Sequence, residues 1–230
     1  MKTIGLIGGM SWESSAHYYA TLNRLIQKKL GGVHSAPLLI HSFDFAPLEE
    51  LQRKGDWHGI GERLAAAAMG LERSGAQLLL IGANTMHIVA DDVARSIRIP
   101  IVHIVDATAE RIRAGGLRRV GLLGTAYTME LGFFQERLSR YGITASVPDD
   151  VARAECHRII FEELVRGVIR PESKIAYRRM IADLVASGCE GIILGCTELM
   201  LIIESSDSEV ALFDTMTIHC ETAIDWAFRG

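Results

Sequence analysis

Short apolar runs alternate with longer amphipathic segments along the whole chain. Eight of these runs have the length of a buried strand: residues 3–8, 37–43, 77–81, 101–105, 119–124, 143–147, 191–194 and 210–213. The segments between them place apolar residues three or four positions apart, which is the spacing of an amphipathic helix. Strands that alternate with helices predict parallel β-sheets covered by helices, so the sequence indicates an α/β fold.

The predicted helices follow from the same spacing and from the residues that end them. They cover about residues 14–30, 59–73, 85–97, 129–141, 151–166 and 171–187, with a short turn after Asp44, a short helix after Cys196 and a closing helix to about residue 228. Residues 31–32 are both glycine and follow the first helix, and Pro100 follows the third. Both residue types typically stop a helix.

The chain also repeats itself. Residues 75–85 align without a gap with residues 188–198 at an offset of 113, so Ala83 corresponds to Cys196. The opening strand matches residues 119–124 at an offset of 116, and residues 106–108 match residues 214–216 at an offset of 108. These matches predict a duplication that produced two similar lobes, each a parallel sheet flanked by helices and related by approximate two-fold symmetry. We expect residues 1–98 with about 208–230 to form the first lobe and residues 99–207 the second.

The strand ends indicate where a ligand would bind, because open parallel sheets bind ligands at the carboxyl ends of their strands. Four strand-end segments contain glycine and small polar residues: 8–11, 82–85, 124–128 and 195–198. If the two lobes face each other, these loops line one cleft between the lobes. Residue 83 and Cys196 would then lie on opposite sides of a bound ligand.

Composition narrows the kind of ligand. The chain has 230 residues and a formal net charge of −4, and it contains no basic run. This balance gives no reason to expect nucleic acid as a partner, and it favours a small molecule. No apolar run has the length of a membrane span or of a secretory signal. We therefore expect a cytoplasmic protein without a membrane partner.

Cys196 is the most reactive side chain that the pattern singles out. The four cysteines, Cys156, Cys189, Cys196 and Cys220, show neither a redox nor a zinc-binding spacing, so no metal site is expected. Three of them are expected to be small interior residues. Cys196 instead follows a buried strand at a predicted helix start, where a helix N-terminus would hold a thiolate ionised. Two thiols on opposite faces of a carbon can remove a proton and return one, which inverts the centre.

The residues around these positions resemble the aspartate/glutamate racemase family, most closely its aspartate racemase branch. The matching segments are GGMSWES at 8–14, QRKG at 52–55, NTMH at 84–87, LGTAYTM at 123–129, FEEL at 161–164, GCTE at 195–198 and FDT at 213–215, together with His219. The likeness implies a two-lobed amino-acid racemase that needs neither pyridoxal phosphate nor another cofactor. It also implies a homodimer with a small-molecule amino acid as substrate.

The resemblance also assigns roles to single residues. It makes Cys196 the base that acts on the L-enantiomer. The implied substrate contacts are Met10, Gln52, Asn84, Thr85, Thr125 and Thr197. Arg166 corresponds to a basic residue that some relatives direct at the side-chain carboxylate of the substrate. Without the resemblance, we would expect Arg166 to be a surface charge near a helix end and Gln52 to be a solvated residue. Thr197 and Glu198 would be expected to cap the following helix. His87 and His103 are expected to form structural hydrogen bonds.

Ala83 departs from the pattern, because most relatives that invert both enantiomers carry cysteine there. A methyl group cannot exchange a proton. Residue 83 is therefore an engineered replacement that traps substrate, a natural one-thiol variant, or the mark of a single-cysteine decarboxylase of the same superfamily. A binding module that has lost the racemase chemistry is the non-enzymatic alternative. The sequence does not choose between aspartate and glutamate, which differ by one methylene group.

Overall fold

A computed structural model describes residues 1–229 as two compact units, each an α/β arrangement with one parallel sheet. The first unit contains Met1–Ile104 and the residues from His219 onward, and the second contains Val105–Ile218. The predicted fold class is therefore confirmed. No helix within residues 1–229 combines the length and the apolar character that are needed to cross a membrane.

The first unit is built on a three-stranded sheet of order β2-β1-β3. Its elements are β1 (Ile4–Gly8), α1 (Trp12–Leu30), β2 (Leu38–Ser42), α2 (Phe45–Lys54), α3 (Trp57–Arg73), β3 (Leu78–Ile81), a 3₁₀ turn (Thr85–Val89) and α4 (Ala90–Ser96). The central strand β1 is buried along its whole length. Tyr18, Leu22 and Ile26, one helical turn apart on α1, are fully buried, as their spacing predicted.

The second unit is built on a four-stranded sheet of order β5-β4-β6-β7. Its elements are α5 (Ile104–Ala114), β4 (Arg119–Leu123), α6 (Ala126–Glu130), α7 (Phe133–Ser139), β5 (Thr144–Ser146), α8 (Asp150–Glu162), α9 (Pro171–Ala186), β6 (Gly191–Leu194), β7 (Ala211–Asp214) and the start of α10 (Thr215–Phe228). Helix α5 begins at the last residue of the first unit, and α10 belongs to the first unit from His219 onward. Three 3₁₀ turns complete it, at Leu164–Arg166, Leu199–Leu201 and Ser205–Asp207. All strand pairs in this sheet are parallel.

The strand order of the two sheets supports the predicted repeat. In each sheet the first strand in sequence lies between the second and the third, so β1, β2 and β3 correspond to β4, β5 and β6. Leu79 bridges Ile101 in the first sheet, and the matching residue of the second sheet, Ile192, pairs with Leu212. Ile101 therefore corresponds to Leu212, an offset of 111 residues. The predicted match of residues 106–108 with 214–216, at an offset of 108, differs from this register by three residues and stays a prediction.

The predicted strand at 101–105 is also wrong, because only the bridge between Leu79 and Ile101 forms. The chain enters α5 at Ile104, where the apolar run continues at helical spacing. Val105, Ala109 and Ile112 lie three or four residues apart and are buried on this helix. A short apolar run fits a strand and a buried helix equally well, and here the residues beyond the run decide for the helix.

Two further boundaries differ from the predictions. The helix expected at 129–141 is divided into α6 and α7 at Gly132, whose positive φ of 76° is incompatible with a continuous right-handed helix. β7 pairs with β6, with Leu194 beside Asp214, so residues 208–218 belong to the second unit rather than the first. The division lies after Ile104 and Ile218, not after residues 98 and 207.

Candidate active site

In the second unit, the loops after β4 and β6 leave the same edge of the sheet. The two strands are adjacent and parallel, with Leu123 beside Leu194, so their carboxyl ends coincide. The loops also lie against each other, since a Cβ atom on Gly124 would be only 3.0 Å from the Gly195 carbonyl oxygen. Thr125 and Cys196, which follow these two glycines, are thereby brought to one strand-end region.

The thiol of Cys196 lies beside a carboxylate. Cys196 is 9% exposed, and its Sγ–H donates to Oε2 of Glu198 over 3.1 Å. The Thr197 hydroxyl donates to the same Glu198 oxygen over 2.9 Å. Glu198 and Thr197 are themselves buried. One carboxylate oxygen therefore accepts two hydrogen bonds in a region that contains little water.

This environment favours the neutral thiol. Burial raises the pKa of Cys196 well above the usual value for a cysteine, and the negative charge of Glu198 raises this pKa further. The expectation that a helix N-terminus holds the thiolate ionised is therefore wrong for the unliganded protein. Only the three-residue 3₁₀ turn Leu199–Leu201 follows, and no side chain caps it. Glu198, expected as a possible cap, turns back to Cys196 instead.

Thr125 is the N-cap residue of α6. Its hydroxyl oxygen accepts from the Thr128 backbone N–H over 3.3 Å and lies 3.2 Å from the Thr128 hydroxyl. The next residue, Ala126, donates its N–H to Nδ1 of His157 over 3.1 Å. These bonds hold the strand-end loop in place. Thr125 is buried at the edge that also contains Cys196.

Arg166 lies apart from this group in the contacts that the structure shows. It is exposed in the turn Leu164–Arg166, where its backbone N–H donates to the Glu163 carbonyl over 2.9 Å. Glu163 is buried and accepts hydrogen bonds from Ser173 over 2.5 Å and from Arg158 over 2.9 Å, which anchors the turn. Within residues 1–229, no side-chain hydrogen bond or ion pair links Arg166 to the loop at 195–198. Its predicted role as a substrate contact stays a prediction.

In the first unit, β1 and β3 are adjacent and parallel, with Ile7 beside Ile81. The loops that follow them therefore start at one edge of the sheet. Met10 is a member of the buried core, and the half-buried Ala83 packs against this core. Asn84 and Thr85, which follow Ala83, are buried. The structure thus brings three of the predicted substrate contacts, and the position of the missing base, to one strand-end region of this unit.

Gln52 behaves differently from an ordinary surface glutamine. It lies on α2 and is only 3% exposed, so the reading as a solvated residue is wrong. Within residues 1–229, its side-chain amide forms no hydrogen bond. The amide is therefore not used by another group in that part of the chain. This arrangement suits a ligand contact.

Three buried histidines, His87, His103 and His219, form a cluster in the first unit. The ring centroids of His87 and His103 are 4.6 Å apart, and those of His87 and His219 are 5.7 Å apart. Nε2 of His219 lies 2.7 Å from the Val102 carbonyl oxygen and Nδ1 lies 2.9 Å from the Tyr18 hydroxyl. A carbonyl only accepts, so Nε2 carries the proton and Tyr18 donates to Nδ1. Burial lowers the pKa of His219 to about 4.

Sequence reasoning missed the roles of Glu198 and His219. Glu198 was expected at most as a cap, and His219 was no more than a residue shared with the resembling family. The available signal was a carboxylate two residues after the candidate thiol, within a run of residues that are otherwise apolar or small. Within residues 1–229, no group of three or more His, Cys, Asp or Glu side chains is arranged to hold a metal ion.

Comparison with known proteins decides the family. The family model for Asp/Glu/hydantoin racemases matches residues 7–223, which is nearly the whole chain. The chain belongs to the Asp/Glu/hydantoin racemase family. The predicted resemblance is therefore confirmed, and membership of this family supports an amino-acid racemase function.

Individual relatives agree with this assignment. A crystal structure from Yersinia pestis, described as that of a candidate Asp/Glu racemase, is 47% identical, covers 100% of both chains and has a TM-score of 0.94. An aspartate racemase homologue from Pyrococcus horikoshii is 40% identical over 100% of both chains, with a TM-score of 0.87. The broad-specificity amino-acid racemase RacX from Bacillus subtilis is 21% identical over 96% of both chains.

The lowered pKa of His219 predicts a loss of stability in mild acid. The unfolded chain binds a proton on this residue below about pH 6.5, whereas the folded protein binds it only near pH 4. His219 therefore makes its full contribution to the free energy of unfolding above pH 6.5, and this contribution is lost as the pH falls to about 4. At about 1.4 kcal/mol per pKa unit, the contribution amounts to about 3 kcal/mol. Urea unfolding of the wild type and of His219→Gln across this range measures it. Carboxylates contribute equally to both proteins, so equal pH dependence in the two would contradict the prediction.

Proposed function

We propose that the protein is a cofactor-independent enzyme that removes and returns the α-proton of aspartate or glutamate, with Cys196 as its thiol acid/base. The observation that carries the proposal is the hydrogen bond from the buried Cys196 thiol to the Glu198 carboxylate. Family membership supports the same chemistry. The likeness to this family further supports a homodimer, which light scattering of the purified protein would test.

The chemical step begins inside the Cys196–Glu198 pair. Glu198 accepts the thiol proton, which leaves a thiolate and a neutral carboxylic acid. The thiolate then takes the α-proton of the amino acid, and the electron pair of the broken C–H bond spreads into the substrate carboxylate. The reverse transfers restore the starting state. Proton transfer within the pair leaves its total charge unchanged, so Cys196 and Glu198 are never both negatively charged in this step.

The substrate contacts are proposed from the positions of the polar side chains. Thr125 and Thr197 lie at the strand-end edge of the second unit, beside Cys196. The first unit contributes Met10, Gln52, Asn84 and Thr85. Gln52 is supported by its largely buried position and by its side-chain amide, which forms no hydrogen bond within residues 1–229. We assign Arg166 to the side-chain carboxylate of the substrate, since its exposed guanidinium forms no ion pair in that part of the chain.

Ala83 restricts what this enzyme can do. Inversion needs a second group that protonates the face of the carbon opposite Cys196, and we assign residue 83 to this position. The methyl group of Ala83 cannot donate a proton. The chain should therefore exchange the α-proton more readily than it inverts the centre. Ala83 also fits a one-thiol decarboxylase, for which release of carbon dioxide from an arylmalonate is the direct assay.

The first prediction of this proposal concerns exchange in deuterium oxide. L-aspartate or L-glutamate should lose its α-proton signal in the ¹H NMR spectrum faster than chiral chromatography detects the D-enantiomer. Cys196→Ala should slow the exchange by about a hundredfold or more, because general acid–base groups typically contribute that much. Cys189→Ala, which removes another buried thiol, is the matched control. Binding of either acid without exchange would instead identify a binding module.

A second prediction concerns the missing donor. Ala83→Cys should create or increase inversion of the α-centre, because a thiol can supply the proton that a methyl group cannot. Ala83→Ser adds a side chain of similar size with a much weaker acid and should stay near the wild-type rate. The conversion is measured by chiral chromatography of both enantiomers. A folded Ala83→Cys variant that binds substrate and remains inert would show that residue 83 does not reach the α-carbon.

A third prediction separates the charge of Glu198 from its chemistry. In Glu198→Gln, the thiol should ionise at a lower pH, because the carboxylate raises the pKa of Cys196. Exchange should nevertheless fall by about a hundredfold or more, since the amide cannot take the thiol proton. Thiolate absorbance against pH and α-proton exchange are the two measurements. Glu204→Gln, at an exposed carboxylate that pairs with Lys174, is the control. Faster exchange in Glu198→Gln would reverse the role assigned to the carboxylate.

A further inference from the structure

His87 connects the loop at position 83 to the first residue of α5. Its Nδ1 lies 2.9 Å from the carbonyl oxygen of Ala83, four residues earlier. Its Nε2 lies 3.2 Å from the backbone nitrogen of Ile104, which donates its N–H. The side chain is only 4% exposed. One ring therefore spans two backbone segments that are far apart in sequence.

The chemistry of these two partners determines the tautomer of His87. A carbonyl oxygen can only accept a hydrogen bond, and a backbone N–H can only donate one. The proton must therefore lie on Nδ1, and Nε2 must be the unprotonated acceptor. His219 has the opposite tautomer, since its Nε2 faces the Val102 carbonyl. Both rings satisfy their partners only in the neutral form.

We propose that His87, in its Nδ1–H tautomer, is a positioning residue that orients the peptide between Ala83 and Asn84. This inference rests on the proposed function, in which residues 83–85 contact the substrate. Because the peptide is planar and trans, its carbonyl and N–H point in opposite directions. Holding the Ala83 carbonyl against His87 therefore directs the Asn84 N–H away from the histidine, and it sets the direction of the side chains that follow.

The neighbouring rings keep His87 in this orientation. The rings of His103 and His219 each pack against His87 in an edge-type arrangement, with interplanar angles of 62° and 69°. His219 is itself held by Tyr18 and Val102. A flip of the His87 ring would place carbon atoms where both hydrogen bonds are needed. The packing thus supports a single orientation of the ring and of the loop that it holds.

Two substitutions separate the two hydrogen bonds. In His87→Asn, the side-chain amide nitrogen takes the place of Nδ1 and can still donate to Ala83, but the acceptor for Ile104 is lost. In His87→Gln, the amide oxygen takes the place of Nε2 and can still accept from Ile104, but the donor to Ala83 is lost. Val93→Ala removes buried volume from the core of the same unit but no hydrogen bond, so it serves as the stability control.

The expected result is a change in KM rather than in kcat. Loss of one hydrogen bond that orients the loop should raise the KM for α-proton exchange in His87→Gln by about tenfold, while kcat stays within about threefold, because Cys196 is untouched. His87→Asn should keep its KM within about threefold of the wild type. The ¹⁵N spectrum of the imidazole should show the Nδ1–H tautomer in the wild type.

Several outcomes would overturn the inference. Equal rises in KM for the Asn and Gln variants would do so, as would a similar rise in Val93→Ala, since either result describes a structural effect alone. An Nε2–H tautomer in the ¹⁵N spectrum would also overturn it. If the wild type exchanges neither acid, calorimetric binding of L-aspartate replaces KM, with the same order of affinities expected. If the wild type binds neither acid, the proposed function fails. The ¹⁵N spectrum then still tests whether His87 is in the Nδ1–H tautomer that holds the peptide between Ala83 and Asn84.

Discussion

A single buried negative charge, shared between Cys196 and Glu198, sets the chemical state of the candidate active site. Two charges in a region with so little water would be too costly, so the pair can hold only one. Two hydrogen-bond donors, the thiol and the Thr197 hydroxyl, converge on the same carboxylate oxygen and stabilise the charge on Glu198. The thiol accordingly stays neutral in the unliganded protein. Under the proposed function, a substrate that brings a positively charged amino group changes this balance and makes the thiolate accessible.

The corresponding part of the first unit is built without such a charge. At the repeat offset of 113 residues, Ala83 corresponds to Cys196, and Thr85 corresponds to Glu198. Neither the thiol nor the carboxylate has a counterpart there. In the neighbouring histidine cluster, hydrogen bonds hold His87 and His219 in neutral tautomers, and burial lowers the pKa of His219 to about 4. The two units thus share a strand order but differ in the chemistry at their strand ends.

Hydrophobic periodicity predicted the parts of the fold that depend on burial. It failed where the structure depends on strand pairing or on the direction of a side chain. The α/β class, the repeat and the strand-end loops follow from apolar runs that end in glycine. The apolar run at 101–105 predicts a strand, because hydrophobic periodicity indicates that residues are buried but not which strand they pair with. In the structure only Ile101 forms a bridge. Glu198 reads as a cap because the sequence does not show that its carboxylate turns back to Cys196. The family likeness identified the substrate-contact candidates, whereas the burial of Gln52 became visible only in the structure.

Under the proposed function, the different groups at positions 83 and 196 affect the kinetics of proton return but not the equilibrium between the enantiomers. Two enantiomers have equal free energies, so kcat/KM must be the same in both directions of a racemisation, however unlike the two bases are. An uneven pair of bases therefore cannot favour one enantiomer at equilibrium. It can only change how often a proton is returned to the face from which it came. Under the proposed function, the second unit supplies a thiol and its proton acceptor and the first unit supplies only a methyl group, so return of the proton to the same face is the dominant event. The repeat at residues 75–85 and 188–198 thus supplies two similar sequences, of which only the second carries a thiol and a carboxylate.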